Sequence, residues 1–269
     1  MRPIRPVLAA LGLMFALVGP AGAACQTPGG FDAWLAGFRK AAVAQGISER
    51  AVGAALAGVS FDPGVIKKDR SQGVFKQSFE QFSAARVNPR LKKAQALLNT
   101  HRTLLGRIEA RYGVPGAVLV AIWGLESDFG AVRGDLSTIR SLATLAFDCR
   151  RSEFFSRELI AAIRIVERGD LTPNEMRGGW AGELGQAQFL PSSYLKYALD
   201  FDGNAKADLI HSSTDALASV ANYLKGYGWR AGQPWGEGTA NFEVIRQWNK
   251  ASVYSRTIAY FATRLATGG

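Results

Sequence analysis

An uncharged helical segment constrains the fold of this 269-residue chain more than any other feature. The residues from Pro115 to Leu125 include no ionisable side chain, so a helix there presents apolar groups on every face. Such a helix needs other elements around it, because a surface helix keeps one polar face. Proline is typical of a first turn and Gly130 of a stop, so the sequence predicts a buried helix over Pro115–Phe129.

Glu126 is the first ionisable residue after this segment. It lies four and eight residues beyond Ile122 and Val118, so it continues an apolar row on the helix. Burial and the negative end of the helix dipole both raise the pKa of a carboxyl group. A carboxylic acid that stays protonated near neutral pH is what general acid catalysis requires, so Glu126 is the candidate catalytic residue. The alternative is an ordinary glutamate that reaches solvent at a helix end.

Helical periodicity extends through much of the remaining chain. It predicts helices over Phe31–Gln45, Ser48–Val59, Pro89–Tyr112, Arg151–Glu167, Thr214–Tyr227 and Ala251–Leu265. Thr172-Pro173-Asn174-Glu175 has the pattern of a capping box and predicts a further helix start. No segment alternates apolar and polar residues long enough to require a sheet. We therefore expect a mainly α protein with two lobes around a cleft.

The first 24 residues have the pattern of a secretory signal peptide. Met1–Pro6 contains two arginines and no acid, Val7–Val18 is apolar, and Ala21-Gly22-Ala23 is a small-residue cleavage site. The apolar run is shorter than the roughly 20 residues that a membrane span needs. We expect cleavage after Ala23 or Ala24, followed by export.

Two cysteines occur in the chain. They can form a disulfide if the chain is exported, because oxidising compartments preserve disulfides. Cys25 follows the cleavage site, and Cys149 lies between Asp148 and Arg150. We predict a Cys25–Cys149 disulfide. Lipid attachment to Cys25 is the alternative, although Gly22 stands where a lipoprotein signal usually places a large aliphatic residue.

The net charge of +10 favours an anionic partner. A nucleic acid is disfavoured, because the cationic residues are spread over several helix faces and the chain is predicted to be exported. Only two histidines are present, which excludes His-rich metal sites and disfavours Ser-His-Asp catalysis. The sequence contains no P-loop, no HExxH and no GxGxxG, the commonest nucleotide and zinc motifs.

Two blocks of sequence carry a family resemblance. The first is Tyr112–Gly130, with its Glu126-Ser127 pair. The second is Gly178–Trp229, which begins Gly178-Gly179-Trp180-Ala181-Gly182-Glu183-Leu184-Gly185-Gln186-Ala187-Gln188-Phe189-Leu190-Pro191. In this order they resemble the lytic murein transglycosylase B family, periplasmic enzymes that cleave peptidoglycan glycan strands. The similarity extends more weakly over Phe31–Arg111 and Trp248–Leu265. One departure is Gly179, where the family usually has Ser.

The resemblance implies a catalytic domain over residues 25–269, with a lysozyme-like core at about residues 110–230 and an additional helical lobe around a glycan-binding cleft. It implies that Glu126 is the catalytic residue and that Ser127, Gln188, Tyr223 and Tyr254 bind substrate. Glutamine can pair with both ends of an acetamido group, and tyrosine offers a flat face to a sugar ring. We expect a periplasmic monomer whose partner is peptidoglycan, with membrane attachment only if Cys25 is lipidated.

The reaction that the resemblance implies uses one carboxyl group and no cofactor. Glu126 protonates the glycosidic oxygen of the MurNAc-GlcNAc β-1,4 bond and then acts as a base, leaving a 1,6-anhydromuramic end without hydrolysis. Ordinary glycosidases use two carboxylates. The sequence shows no second carboxylate in an equally apolar setting near Glu126, since Asp128 lies on another face. The alternatives are a hydrolytic muramidase and a non-catalytic peptidoglycan-binding protein.

An acidic segment resembles the loop of an EF-hand. Oxygen ligands occupy positions 1, 3, 5 and 9, namely Asp200, Asp202, Asn204 and Asp208. Two features weaken the pattern: Ala205 replaces the glycine of the sharp turn, and His211 replaces the final glutamate. Asp215 could supply the last carboxylate, and some family members bind calcium. The sequence predicts either a structural calcium site or a surface turn.

Overall fold

The fold is mainly α, as predicted, in a computed structural model that describes residues 28–71 and 77–268. These residues form twelve helices and one two-stranded sheet: α1 (Gly30–Ala44), α2 (Glu49–Ala55), α3 (Pro63–Arg70), α4 (Phe79–Thr100), α5 (Arg102–Tyr112), α6 (Gly116–Ser127), β1 (Leu136–Ser137), α7 (Thr138–Phe147), α8 (Ser152–Arg168), β2 (Arg177–Gly178), α9 (Pro191–Tyr197), α10 (Ser213–Gly226), α11 (Ala240–Trp248) and α12 (Ser252–Ala266).

Helix α6 lies at the centre of the protein, with ten of its twelve residues buried. Helices α4, α5, α10 and α12 pack against it. Gly124 allows close packing, since a Cβ atom there would lie 2.7 Å from the ring of Phe129 and 3.3 Å from that of Phe261. The buried helix predicted from the uncharged segment is therefore confirmed.

The end of α6 differs from the prediction in a way that matters for the site. The helix stops at Ser127, because Asp128, Phe129 and Gly130 have φ values of 50°, 62° and 81°. Three consecutive left-handed residues turn the chain sharply away from the helix axis. Glu126 therefore stands in the last turn, beside the point where the chain leaves the core.

A second group of helices packs beside this core. Helices α7 and α8 form an extensive pair, and α1, α2 and α3 each contact one of them. Strand β1 pairs antiparallel with β2, with Leu136 opposite Gly178. This pairing anchors the start of the glycine-rich segment 178–189 near the chain that leaves α6. The segment then folds back on itself through a bridge between Leu184 and Phe189.

Two predicted helix boundaries are wrong. Helix α4 begins at Phe79, capped by the Ser78 hydroxyl, so Pro89 lies inside the helix and does not start it. The predicted long helix also breaks at His101, which separates α4 from α5.

The capping box at Thr172 forms, but no helix follows it. The Glu175 carboxylate accepts the backbone N–H of Thr172 at 2.7 Å, and the backbone N–H of Glu175 donates to the Thr172 hydroxyl at 3.4 Å. The next residue, Met176, accepts the N–H of Thr138 at 3.0 Å, and the chain continues directly into β2. Pairing with the segment around β1 thus replaces helix propagation.

Residues 1–27 lie outside the described residues, so the signal peptide and the Cys25–Cys149 disulfide stay predictions. Cys149 lies in an exposed turn before α8. Among residues 28–71 and 77–268, no single helix is long and apolar enough to cross a membrane. Helices α5 and α6 together have the necessary length and composition, but they are bent by 110° at the break between them.

Candidate active site

The Glu126 carboxyl group is held by two donors from the C-terminal part of the chain. The indole N–H of Trp248, the last residue of α11, donates to Oε1 at 2.8 Å. The hydroxyl of Tyr254, in α12, donates to the same oxygen at 3.0 Å. Both donors come from more than 120 residues away in sequence, so the fold builds this contact.

Burial dominates the electrostatics of Glu126. Loss of solvent raises its pKa, the hydrogen bonds from Trp248 and Tyr254 lower it, and the nearby Glu183 raises it further. The net effect raises the pKa of Glu126 from 4.5 to about 7. A carboxyl group with that pKa can give up a proton and take one back near neutral pH.

The two donors also distinguish the carboxyl oxygens from each other. Oε1 accepts two hydrogen bonds, which suits the carbonyl oxygen of a protonated acid. The proton is then carried by Oε2. Glu126 is only part-buried and lines a cleft, so a proton on this carboxyl group can reach a ligand there.

The cleft has a volume of about 440 Å³. Its walls contain both apolar or aromatic side chains and polar groups, a mixture that suits sugar rings with hydroxyl edges. The lining residues are Glu126, Arg151, Phe154, Phe155, Gly179, Trp180, Ala181, Glu183, Gln188, Phe189, Leu190, Ser193, Tyr223, Gln247, Trp248 and Asn249.

Glu183 corrects the expectation that Glu126 has no carboxylate neighbour. It comes from the glycine-rich segment and lines the same cleft. Burial raises its pKa, while hydrogen bonds from backbone N–H groups, including that of Ala181 at 3.0 Å to Oε2, lower it less. The sequence does not reveal this neighbour, because 57 residues separate the two acids and Glu183 lies among glycines rather than on an apolar helix.

Gln188 lies in the cleft, as predicted. Its φ of 50° places it in the left-handed region at the turn of the glycine-rich segment. Its amide nitrogen donates to the carbonyls of Arg133 at 2.9 Å and Gly185 at 2.8 Å. Both amide hydrogens are therefore committed to the backbone, and the side-chain oxygen is held as an acceptor.

Tyr223 and Tyr254 lie at different positions relative to the cleft. Tyr223 lines the cleft with its ring packed on Trp248 and Phe189, while its hydroxyl donates to the Gln247 carbonyl at 2.8 Å. It offers an aromatic surface rather than a hydroxyl group. Tyr254 contacts the carboxyl group of Glu126 and is not one of the described cleft-lining residues.

Ser127 does not lie in the cleft. It is 1% exposed, and its hydroxyl lies 2.5 Å from the Gln186 carbonyl and accepts the N–H of Gly130 at 2.8 Å. The expected substrate contact is therefore wrong. The hydroxyl ties the end of α6 to the glycine-rich segment and so fixes the position of Glu126.

The acidic loop brings together three carboxylates that differ from the predicted set. Oxygens of Asp200, Asp202 and Asp215 lie within 4.8 Å of one another. Asp208 is outside this group, since its carboxylate accepts the backbone N–H groups of Ile210 and His211 and faces the His211 ring. The side-chain oxygen of Asn204 accepts the Lys206 N–H at 2.9 Å.

Comparison with the sequence models of known protein families identifies the family of this chain. The model of the Transglycosylase SLT domain matches residues 30–240, most of the chain. The chain belongs to this family. The lytic murein transglycosylase resemblance is thereby confirmed, and similarity to solved lytic transglycosylase structures confirms the lysozyme-like, mainly α fold.

Relatives of this SLT-family chain include two proteins from Escherichia coli. The membrane-bound lytic murein transglycosylase B of strain K12 is 40% identical over 135 residues, which are 50% of this chain and 37% of the relative. The chain thus matches well under half of that relative's length. The transglycosylase Slt35 in complex with calcium is 25% identical, with a TM-score of 0.77 over 87% of this chain and 93% of Slt35.

A solved structure from Pseudomonas aeruginosa is similar over a larger part of both chains. SltB3 in complex with NAG-NAM-pentapeptide is 35% identical, with a TM-score of 0.83. The match covers 89% of this chain and 80% of SltB3.

Proposed function

We propose that this SLT-family protein is a lytic transglycosylase that cleaves the MurNAc-GlcNAc β-1,4 bond of peptidoglycan strands. The observation that carries the proposal is Glu126, a carboxyl group whose pKa is raised to about 7 and whose Oε1 is fixed by two donors in an aromatic cleft. SltB3 supports the substrate class, since it was solved with NAG-NAM-pentapeptide and with NAG-anhNAM-pentapeptide.

The first step breaks the glycosidic bond. Glu126 transfers its proton to the glycosidic oxygen, while the acetamido carbonyl oxygen of the muramic acid attacks C1. The bond between C1 and the glycosidic oxygen breaks, and the GlcNAc part leaves with the proton from the enzyme. The Gln188 side-chain oxygen can accept the acetamido N–H, which aims the acetamido carbonyl at C1.

The second step closes the anhydro ring. The Glu126 carboxylate takes the proton of the C6 hydroxyl, O6 attacks C1, and the bond between C1 and the acetamido oxygen breaks. Glu126 ends protonated and no water is consumed. A pKa near 7 favours both steps, because the same group must give and take a proton at one pH.

Hydrolysis is a second candidate function, and Glu183 is the observation that favours it. Two carboxylates on one cleft are the usual equipment of a hydrolysing glycosidase. Glu183 would then activate a water molecule in place of O6. The setting of Glu183 favours the first candidate, because its Oε2 is already engaged in accepting the N–H of Ala181 at 3.0 Å.

The products decide between these candidates. Purified murein is digested with the wild type, Glu126→Gln and Glu183→Gln, and the fragments are weighed by mass spectrometry. We expect anhydromuramic ends, one water lighter than reducing ends, from the wild type and none from Glu126→Gln. Reducing ends that disappear in Glu183→Gln would establish a muramidase. Binding to murein without any fragments would establish a non-catalytic wall-binding protein.

We also propose a periplasmic location and a structural cation. The signal-peptide pattern supports export, and substrate in the cell wall agrees with it. Asp200, Asp202 and Asp215 present clustered carboxylate oxygens, the ligands that calcium prefers. The calcium complex of Slt35 supports the choice of metal. The ion would hold the loop between α9 and α10 and would supply no chemistry to the cleft.

A further inference from the structure

We propose that the Glu183 carboxylate stabilises the positive charge that forms on the muramic acid when the glycosidic bond breaks. This inference rests on the proposed function, since the charge arises in the transglycosylase reaction. It gives Glu183 a catalytic role without any proton transfer, unlike the role of a base in hydrolysis.

Glu183 and Gln188 present oxygens to the same small space in the cleft. Both side chains line the cleft, and both are half-buried. A Cβ atom placed on Gly179 would lie 2.4 Å from Oε2 of Glu183 and 3.1 Å from Oε1 of Gln188. A substrate group that reaches the Gln188 oxygen therefore also approaches the Glu183 carboxylate.

The backbone fixes the positions of these two acceptors. Leu184 and Phe189 exchange backbone hydrogen bonds of 2.9 and 3.0 Å, and both side chains are buried in the core. Glu183 and Gln188 are their neighbours in sequence, so the core anchors both. The Ala181 N–H orients the Glu183 carboxylate at 3.0 Å, and a carboxylate has further acceptor positions. Its charge is therefore preorganised, and no reorganisation is needed during the reaction.

The first step of the reaction creates a positive charge beside these acceptors. The Glu126 proton goes to the glycosidic oxygen, and the acetamido oxygen bonds to C1, which closes an oxazolinium ring. This ring keeps its N–H and carries one positive charge, spread over the nitrogen, the oxygen and the carbon between them. With that N–H held by the Gln188 oxygen, the charge lies close to Glu183. The charge disappears when O6 displaces the acetamido oxygen, so Glu183 stabilises the intermediate more than the substrate.

The charges of the cleft agree with this role. The other charged residues that line the described cleft are Glu126 and Arg151. The guanidinium of Arg151 donates to the buried carboxylate of Asp69, so its charge is partly neutralised behind the cleft. Glu126 is neutral until it gives up its proton and negative afterwards. The oxazolinium ion then lies near two carboxylates, and it offsets the repulsion between them.

The first test compares Glu183→Gln with Glu153→Gln. Both substitutions change the net charge equally, but Glu153 is an exposed residue of α8 that is not among the cleft-lining residues. We measure kcat and KM for anhydromuropeptide release from pH 4 to pH 9. At the best pH of its own profile, Glu183→Gln should lose about 10²-fold in kcat and keep KM within about twofold. Glu153→Gln should match the wild type.

A shifted pH profile with an unchanged maximum kcat would overturn the proposal. Glu183 would then act only through the pKa of Glu126, which it raises. A loss confined to KM would overturn it as well, because the carboxylate would then bind the substrate and its transition state equally. If melting curves show that Glu183→Gln is misfolded, Glu183→Ala takes its place.

The second test needs no turnover. In Glu126→Gln, Glu183 is the carboxylate that remains among the described cleft-lining residues. Calorimetry compares the binding of a 2-acetamido sugar that has a protonated nitrogen in its ring with the binding of the same sugar with a ring oxygen. We expect Glu126→Gln to bind the cationic sugar about tenfold more tightly. A further Glu183→Gln substitution should abolish this preference, whereas a further Glu153→Gln substitution should preserve it.

Equal affinities of Glu126→Gln for the two sugars would refute the attraction between Glu183 and a cation. A preference that survives the Glu183→Gln substitution would refute it too. A wild type that releases no anhydro product refutes the proposed function instead. The calorimetry then still decides whether the Glu183 carboxylate binds positive charge in the cleft.

Discussion

Replacing Glu126 by Gln tests the burial of the acid without relying on activity. The substitution keeps nearly the same volume, and the glutamine side-chain oxygen can still accept the hydrogen bonds from Trp248 and Tyr254. Only the titration is removed. The pH dependence of stability should therefore differ between the wild type and Glu126→Gln by the contribution of this one group.

The size of that contribution follows from the two pKa values. The folded protein holds the Glu126 proton up to about pH 7, whereas the unfolded chain releases it near pH 4.5. Because the folded state binds the extra proton between these values, the wild type loses stability as the pH rises from 4.5 to 7 and then levels off. At about 1.36 kcal/mol for each unit, the loss is about 3 kcal/mol.

Melting temperatures from pH 4 to pH 9 measure this loss. For a chain of this size, about 3 kcal/mol corresponds to a shift of roughly 6–12 °C. We expect the melting temperature of Glu126→Gln, relative to that of the wild type at the same pH, to rise by this amount between pH 4 and pH 8. Glu175→Gln is a matched control of opposite sign, since the hydrogen bonds from Thr172 lower the pKa of Glu175.

A melting difference between wild type and Glu126→Gln that stays constant with pH would refute the burial argument. The activity of the wild type offers an independent check on the same pKa. Since the first step needs protonated Glu126, kcat/KM should fall above about pH 7. Glu126→Gln itself should lose about 10²-fold or more, because no other group supplies both proton transfers.

Three further predictions address the surroundings of the acid and the edges of the fold. Trp248→Phe removes a donor that stabilises the Glu126 carboxylate, so the fall of kcat/KM should move to higher pH by up to about one unit; an unchanged profile would contradict the hydrogen bond. Free calcium should raise the melting temperature of the wild type but not of Asp202→Asn; identical curves with calcium and with chelator would leave the loop a simple turn. Non-reducing peptide mapping of exported protein should find Cys25 linked to Cys149, whereas free thiols or an acylated Cys25 would disprove the disulfide.

The buried helix and its acid could be predicted from the sequence because an eleven-residue uncharged segment leaves a helix no exposed face. The break at His101 could not, since the apolar stripe runs on across it and both helices satisfy the same periodicity. The capping box at Thr172 shows the reverse case. Its local hydrogen bonds form as predicted, but pairing between β1 and β2 directs the chain after Glu175 into a strand instead of a helix.

The partners of Glu126 could not be predicted for a related reason. Trp248 and Tyr254 lie 122 and 128 residues further along the chain, and no local pattern marks an indole or a phenol as a donor to a distant carboxyl group. Ser127 misleads for the opposite reason. Its place beside Glu126 suggests a shared role, but on a helix adjacent residues point to different sides, and Ser127 faces the interior.

The position of the Glu183 carboxylate depends on the glycine at position 179. A Cβ atom on Gly179 would lie 2.4 Å from Oε2 of Glu183 and 3.1 Å from Oε1 of Gln188. A serine, the residue usual in the family, would therefore displace Glu183 from the place where Oε2 accepts the N–H of Ala181. The missing side chain thus leaves room for a half-buried acid that raises the pKa of Glu126. In this chain, the departure from the family pattern therefore contributes to the raised pKa of Glu126 through the neighbour that it admits.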